Sequence, residues 1–286
     1  MKISGFILLI VAFIFPLSQA NAQKYWIYDG DRQFTPAELY MMDDCGTCSQ
    51  FKHFKAIPNP PDIPVLSDKY AKNNKCAEMY FPGCQYSTAE NFCMKSMSQP
   101  EGQTQFPYGT DIYQAFSVFV PIEYNHDADW NLIYQFHGYP DDLGQCDNWR
   151  SPPFSIALRT NQWRVWGRYA SQKCNNDGNE SVTSIILHEG QPIVKGDWTH
   201  FVIHLKYEYN GDGRCEVWLR DAENSTPEKI VDYSGAIGFN DEKAPYDYVS
   251  FGYYYGNNSG PDVTLYFDRI IFAGKKESLE SMMYYK

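Results

Sequence analysis

The stretch Thr199–Arg220, THFVIHLKYEYNGDGRCEVWLR, decides the fold class. In its first half Phe201, Ile203, Leu205 and Tyr207 alternate with Val202, His204, Lys206 and Glu208. In its second half Val217 and Leu219 alternate with Glu216, Trp218 and Arg220. A period of two marks β-strands, here with one apolar face and an opposite face expected to look mostly toward water. Between the halves, Asn210-Gly-Asp-Gly213 supplies the residues that a hairpin turn demands. The stretch therefore reads as two antiparallel strands.

The same grammar extends in both directions. Strand patterns recur at 112–121, 132–137, 154–160, 163–169, 182–188, 248–255 and 263–272. Their separators are turn-forming, among them Pro140-Asp-Asp142, Asn175-Asn-Asp-Gly178 and Asn257-Asn-Ser-Gly260. Short strands with such separators predict an all-β antiparallel sandwich or barrel. Neither a repeat nor a linker interrupts 110–273, so one domain is expected. Helix signals are few. Thr35-Pro-Ala-Glu38 resembles a capping box with Pro at the first helical position and predicts a short helix to Met42. A further helical turn is expected at 278–284.

The chain has 286 residues, 24 Lys plus Arg against 35 Asp plus Glu, and a net charge of −11. So acidic a chain lacks the cations that a duplex nucleic-acid binder needs to neutralise phosphates. Aromatic residues at 17% and charged residues at 21% exclude a disordered chain. Lys2, the apolar run Phe6 to Phe15 and Ala20-Asn-Ala22 form a signal-peptide pattern. Cleavage before Gln23 would leave one domain over 23–286, secreted, or periplasmic in a bacterium. No later segment has transmembrane length, and a monomer is expected. Eight cysteines (45, 48, 76, 84, 93, 146, 174 and 215) in an exported chain predict up to four disulfides. Five of them crowd into 45–93 beside Pro58, Pro60, Pro61 and Pro64, so 23–109 is expected to be loop-rich and disulfide-stapled. Cys45-Gly-Thr-Cys48 lacks the βαβ context of a redox pair and the second half of a zinc site, and reads as structural. Asn179, Asn224 and Asn257 head glycosylation sequons, which matter only in a eukaryote.

Candidate chemistry sits on strand faces. In Trp130-Asn-Leu-Ile-Tyr-Gln-Phe-His-Gly138, Tyr134 and Phe136 share one face, and Gln135 and His137 the other. The next strands set Ser155, Ala157 and Arg159, then Arg164, Trp166 and Arg168, opposite their apolar residues. With Arg150 these arginines form a basic cluster in an acidic chain. Guanidinium groups take carboxylates in bidentate fashion, and Trp166 offers a ring for a sugar; surface pairing with acids is the plainer role. In Val249-Ser-Phe-Gly-Tyr-Tyr-Tyr-Gly256, Tyr254 shares a small polar face with Ser250 and Gly252. His200 and His204 lie roughly 13 Å apart on one strand, too far for one metal, and read as structural. No cofactor is required by the sequence. Asn125, Asp127 and Asp129 could serve a structural calcium ion as readily as a turn. The chain carries no serine-nucleophile elbow, no zinc-protease helix, no phosphate loop and no paired-carboxylate glycosidase strand.

These pieces, in order, resemble the heparin lyase I-like and glucuronan lyase-like polysaccharide lyases, which share a β-jelly roll of the lectin and glucanase type. The matching elements are Ile112–Pro121, Tyr134-Gln-Phe-His-Gly138, Pro152–Arg159, Gly196–His204, Glu216-Val-Trp218, Phe251-Gly-Tyr-Tyr254 and Tyr266-Phe-Asp268. The resemblance covers about 110–273. It implies β-elimination on an acidic polysaccharide, with His137 as base or proton shuttle and Tyr254 as base or acid. It also implies Gln135 and one of Arg150, Arg159 or Arg168 holding the uronate carboxylate. Where heparin-type members carry a Lys and an Arg around the strand Tyr, this chain has Ser250 and Tyr255; the stretch 23–109 lacks a clear counterpart of the family's N-terminal Arg-Glu segment, for which Lys95 is a candidate substitute. Fewer cations favour a carboxylate-only polymer such as glucuronan or alginate over heparin. A non-catalytic, lectin-like binder and a jelly-roll glycosidase are the rival readings.

Overall fold

The computed structural model describes residues 26–28, 39–42, 55–58, 75–81, 95–100, 109–125, 131–138, 140, 150–173, 182–221, 226–241, 248–255 and 262–273. Up to residue 100, and at 248, 255 and 271–273, the description is of the backbone.

The strands form two eight-stranded sheets. The first runs β13 (Glu228–Ser234), β12 (Arg214–Asp221), β11 (Trp198–Lys206), β6 (Asp111–Phe119), β16 (Val263–Ala273), β4 (Lys75–Phe81) and β3 (Lys55–Pro58), with β1 (Trp26–Tyr28) also on β16. The second runs β10 (Thr183–Pro192), β9 (Gln162–Ala170), β8 (Phe154–Arg159), β7 (Asn131–His137), β15 (Tyr248–Tyr255), β5 (Lys95–Pro100) and β2 (Leu39–Met42). The short β14 (Gly238–Phe239) adds to β9 in parallel, and the other pairs described here are antiparallel. The all-β two-sheet sandwich is as the alternation predicts.

Aromatic rings fill the space between the sheets. Phe116 of β6 stacks on Tyr134 of β7 at 5.2 Å and on Phe201 of β11 at 5.0 Å. It also meets the Phe251 edge at 5.4 Å, and all four of these side chains are buried. Offset and edge-on rings of this kind add to plain area burial.

The deciding hairpin is present, with Leu205 opposite Cys215 and Lys206 opposite Arg214. β11 ends at Lys206 rather than Tyr209, because the chain then turns to another partner. Glu208 N–H donates to Ile237 O at 2.7 Å, and Ile237 N–H donates back at 2.9 Å. Asn210 Oδ1 accepts from Asp212 N–H at 3.2 Å, which tightens the loop. Gly213 closes it: a Cβ there would lie 2.4 Å from Gly235 O.

The polar face of β11 is covered rather than open to water. His200 and His204 are both buried. His204 lies flat on Tyr113 at 4.3 Å, with Nε2 on Asp111 and Nδ1 on Glu216, each at 2.8 Å. His200 Nδ1 meets Ser117 Oγ at 2.7 Å; burial, aided by Arg220 and Arg269, pushes its pKa well below the usual value and keeps it neutral. Glu216 also accepts from Arg214 of its own strand and from Lys229, which ties β12 to β13. Burial alone would raise the Glu216 carboxyl, but the bonds from Lys229, His204 and Arg214 outweigh it and hold it at about 2, against an ordinary 4.5. A carboxyl depressed by folding stabilises the protein above its unfolded pKa, and that contribution is lost as pH falls through the folded value. Glu216→Gln is therefore expected to cost about 2 kcal/mol at pH 7 and almost nothing near pH 2. Thermal unfolding of the two proteins between those pH values measures the difference.

Two expectations need correction. Residues Leu39–Met42 form the edge strand β2, paired with β5 through Leu39 opposite Pro100 and Met42 opposite Met97, and not the end of a helix. The unpaired backbone of a sheet edge outweighs a local capping signal. Cys215 is a free, buried core cysteine, so the other seven can form at most three disulfides within the chain, and not the four allowed by the count of eight. The segment 23–109 supplies five strands, β1 to β5, and so contributes to both sheets. Asp127, Asp129, the signal-peptide pattern, the expected turn at 278–284 and the sequons at Asn179, Asn224 and Asn257 lie outside the described residues.

Candidate active site

Tyr134, Phe136, Phe154, Ile156, Trp163 and Val165 join the core between the sheets. Their alternating neighbours form the opposite face of the second sheet. The strand register orders that face into three transverse rows. The central row pairs Ser250 with Gln135, Gln135 with Ser155, Ser155 with Trp166 and Trp166 with Ile186. A second row runs Tyr254, Leu132, Ala157, Arg164 and Glu189. On the other side lie His137 on β7 and, two strands away, Arg168 opposite Ser184. Successive rows are one pleat repeat apart, about 7 Å.

The central row holds unmet hydrogen-bonding capacity. Ser250, Gln135 and Ser155 are 0%, 1% and 0% exposed. Ser250 Oγ, Gln135 Nε2 and Ser155 Oγ have no hydrogen-bond partner. An unmet buried polar atom costs about 1–3 kcal/mol, so three side by side require an explanation beyond packing. Shielded from water, they would bind a ligand oxygen strongly.

His137 is 8% exposed, and its Nδ1 lies 2.8 Å from Gly138 O. That oxygen can only accept, so Nδ1 carries the proton. In the neutral ring the lone pair is then on Nε2, the state a proton acceptor needs. Tyr254 is half-buried and flanks the central row on the opposite side from His137. An irregularity between Phe251 and Tyr254, and another between Leu132 and Tyr134, enlarge the spacing around Ile133. About 13 Å of strand separates the His137 and Tyr254 rows, so the two meet at one molecule only by leaning toward Gln135. Lys95 on β5 pairs in register with Tyr254.

The basic residues divide into three situations. Arg164 and Arg168 lie over the Trp166 ring at 5.2 and 5.9 Å, and Arg168 also donates to Pro152 O at 2.8 Å. Arg159 is at the rim, 34% exposed, 3.8 Å from Glu189. Arg150 is buried in an ion pair with Asp241 and lies over Phe239 at 4.3 Å. That pairing engages its charge within the protein, whereas Arg159 and Arg168 lie on β8 and β9. The β8–β9 hairpin turns on Thr160 and Asn161, both with positive φ, and so aligns Arg159, Arg164 and Trp166.

Sequence reasoning placed Ser155 and Ser250 on this face but gave them no role; nothing in a lone serine signals an unmet hydrogen bond. It missed Glu189 altogether, because two register shifts in β10 break the alternation there. Gly190 inside a strand pattern was the available signal. Among the described residues no group of His, Cys, Asp and Glu could hold a metal ion. Among the described residues no helix is long and apolar enough to cross a membrane.

Comparison with known proteins adds the family. A family model described as polysaccharide lyase matches residues 44–271. The crystal structure of an endo-β-1,4-glucuronan lyase from the fungus Trichoderma reesei superposes with a TM-score of 0.52 at 13% identity, over 82% of this chain and 94% of that one. A marine alginate lyase from Aplysia kurodai gives 0.50 at 11% identity, over 79% and 92%. At such identities the likeness is one of fold. No curated protein matches the chain.

Proposed function

The chain belongs to the polysaccharide lyase family, and from that premise we propose that it cleaves a bare polyuronate, of the glucuronan or alginate kind, by β-elimination. The observation that carries this reading is the central row of unpartnered Ser250, Gln135 and Ser155 between His137 and Tyr254. In the reaction the C5–H bond breaks, its electron pair forms the C4=C5 double bond, and the C4–O bond breaks. His137 Nε2 takes the C5 proton, and the Tyr254 hydroxyl protonates the departing glycosidic oxygen. Gln135 and the flanking serines donate to the uronate carboxylate, where charge builds as the proton leaves. Trp166, between Arg164 and Arg168, receives a neighbouring sugar, with Arg159 at the rim. No metal or organic cofactor enters these steps.

Among the described residues, three arginines and no run of cations on this face suit one carboxylate per sugar better than dense sulfation. The two similar folds named above belong to a glucuronan lyase and an alginate lyase, which favours the same substrate class. The leader pattern at 1–22 supports secretion, which is where such a polymer is met.

Incubation with glucuronan, alginate and heparin, followed by ultraviolet absorbance of the unsaturated product, tests the reading. Absorbance is expected to rise on a carboxylate-only polymer and to stay flat on heparin. Flat absorbance on every polyuronate overturns it, and new reducing ends without absorbance would assign hydrolysis instead.

A further inference from the structure

Glu189 stands where a polyanion-binding face would be expected to carry no acid. It sits on β10 in register with Arg164, whose Nη2 donates to Glu189 Oε1. The same carboxylate oxygen lies 3.8 Å from Arg159 Nη1. One acid therefore engages two of the three arginines described on this face. Its placement is built into the strand. Register shifts fall on both sides of it, between Ile186 and His188 and between Glu189 and Gln191. Bulges of this kind re-aim a side chain. Gly190 supplies the second with a φ of 120°, in the region that favours glycine.

The arginine side is not saturated by this contact. Arg164 is buried, 7% exposed, and its Nε has no hydrogen-bond partner. An unpaired buried guanidinium is costly, so a resident carboxylate stabilises the empty face. Glu189 itself is 38% exposed at its side chain and can leave. A carboxylate arriving on a polymer offers the same bidentate chemistry to the same fork.

We infer that Glu189 is a specificity-determining residue, an internal stand-in for a uronate carboxylate that the polymer displaces from Arg164 and Arg159. This rests on the polyuronate reading above. Exchange of one carboxylate for another leaves local charge nearly unchanged, so a chain with one charge per sugar is accepted. A sulfated chain brings extra charges beside the displaced Glu189 and is repelled. The displaced acid also competes for the arginines afterwards, which speeds release.

The test is binding, read without turnover. Affinity electrophoresis of the full chain carrying His137→Ala, with and without Glu189→Gln, is run on alginate, glucuronan, carboxyl-reduced alginate and heparin at several salt concentrations. Thermal unfolding checks that both proteins fold. Glu189→Gln is expected to tighten polyuronate binding about two- to fivefold, the range of an exposed ion pair. Heparin is expected to gain more, the carboxyl-reduced polymer nothing, and the salt dependence to steepen. Unchanged polyuronate affinity overturns the inference and leaves Glu189 a surface ion pair. Weaker binding also overturns it, by making Glu189 a support that orients the arginines. Failure of both proteins to bind any polyuronate removes the substrate reading, and the inference falls with it.

Discussion

Replacing His137 by alanine is expected to lower kcat on a polyuronate by about 10²–10⁴-fold, the contribution of a positioned acid–base group. The Nδ1 contact with Gly138 O fixes the ring and its tautomer, and no other described imidazole lies on this face beside Gln135. His200 and His204 cannot replace it, being on the other sheet and engaged by Ser117, Asp111 and Glu216. Steady-state rates from the ultraviolet absorbance measure the effect, with circular dichroism to verify folding. A kcat within twofold of the parent would remove His137 from the chemistry. Tyr254→Phe is the companion test, because the register places Tyr254 a full row beyond Gln135. A kcat loss comparable to that of His137→Ala means that both side chains lean onto one sugar. A rise in KM with kcat retained moves Tyr254 to a neighbouring sugar and refutes its role as the acid.

Phe116→Ala carries the largest expected loss of stability, about 3–5 kcal/mol. Phe116 is 1% exposed and touches Tyr134 and Phe251 across the sandwich and Phe201 beside it on β11. Removing it opens a cavity where the two sheets meet, and close-packed aromatic neighbours cannot collapse to fill it. In a domain of this size that corresponds to a fall of roughly 10 °C in Tm, read by scanning calorimetry. A fall under 2 °C would mean that the sheets repack freely around the gap. Activity at the candidate face should fall only as folded protein is lost, since Phe116 lies on the far side of β7 from Gln135.

Much of the fold was legible because a strand with an apolar face toward the core and a more polar face opposite writes a period of two into the chain. Thr199–Arg220, Leu132–His137 and Tyr248–Tyr255 all carry that period; the first is the β11–β12 pair and the others are the single strands β7 and β15, within a few residues of the reading. The strand β13 was missed because Glu228–Ser234 is an edge strand, where charged residues are tolerated and no clear alternation is required. Leu39–Met42 was misread because a capping signal is local, whereas an open sheet edge is supplied by residues about sixty positions away.

The sequence by itself determined the all-β class, the faces of the central strands and the identity of the polar residues on them. Those follow from rules that act within one strand. The tertiary structure alone decided how the strands lie beside one another, and hence which polar residues share a row. Register aligns Ser250, Gln135, Ser155 and Trp166, although they are spread over about 115 positions. It withdraws Arg150 to Asp241 and brings Glu189 to Arg164. Pairing partners are chosen by the packing of the whole sheet, and a one-residue slip would dissolve every row. No stretch of chain contains that information on its own.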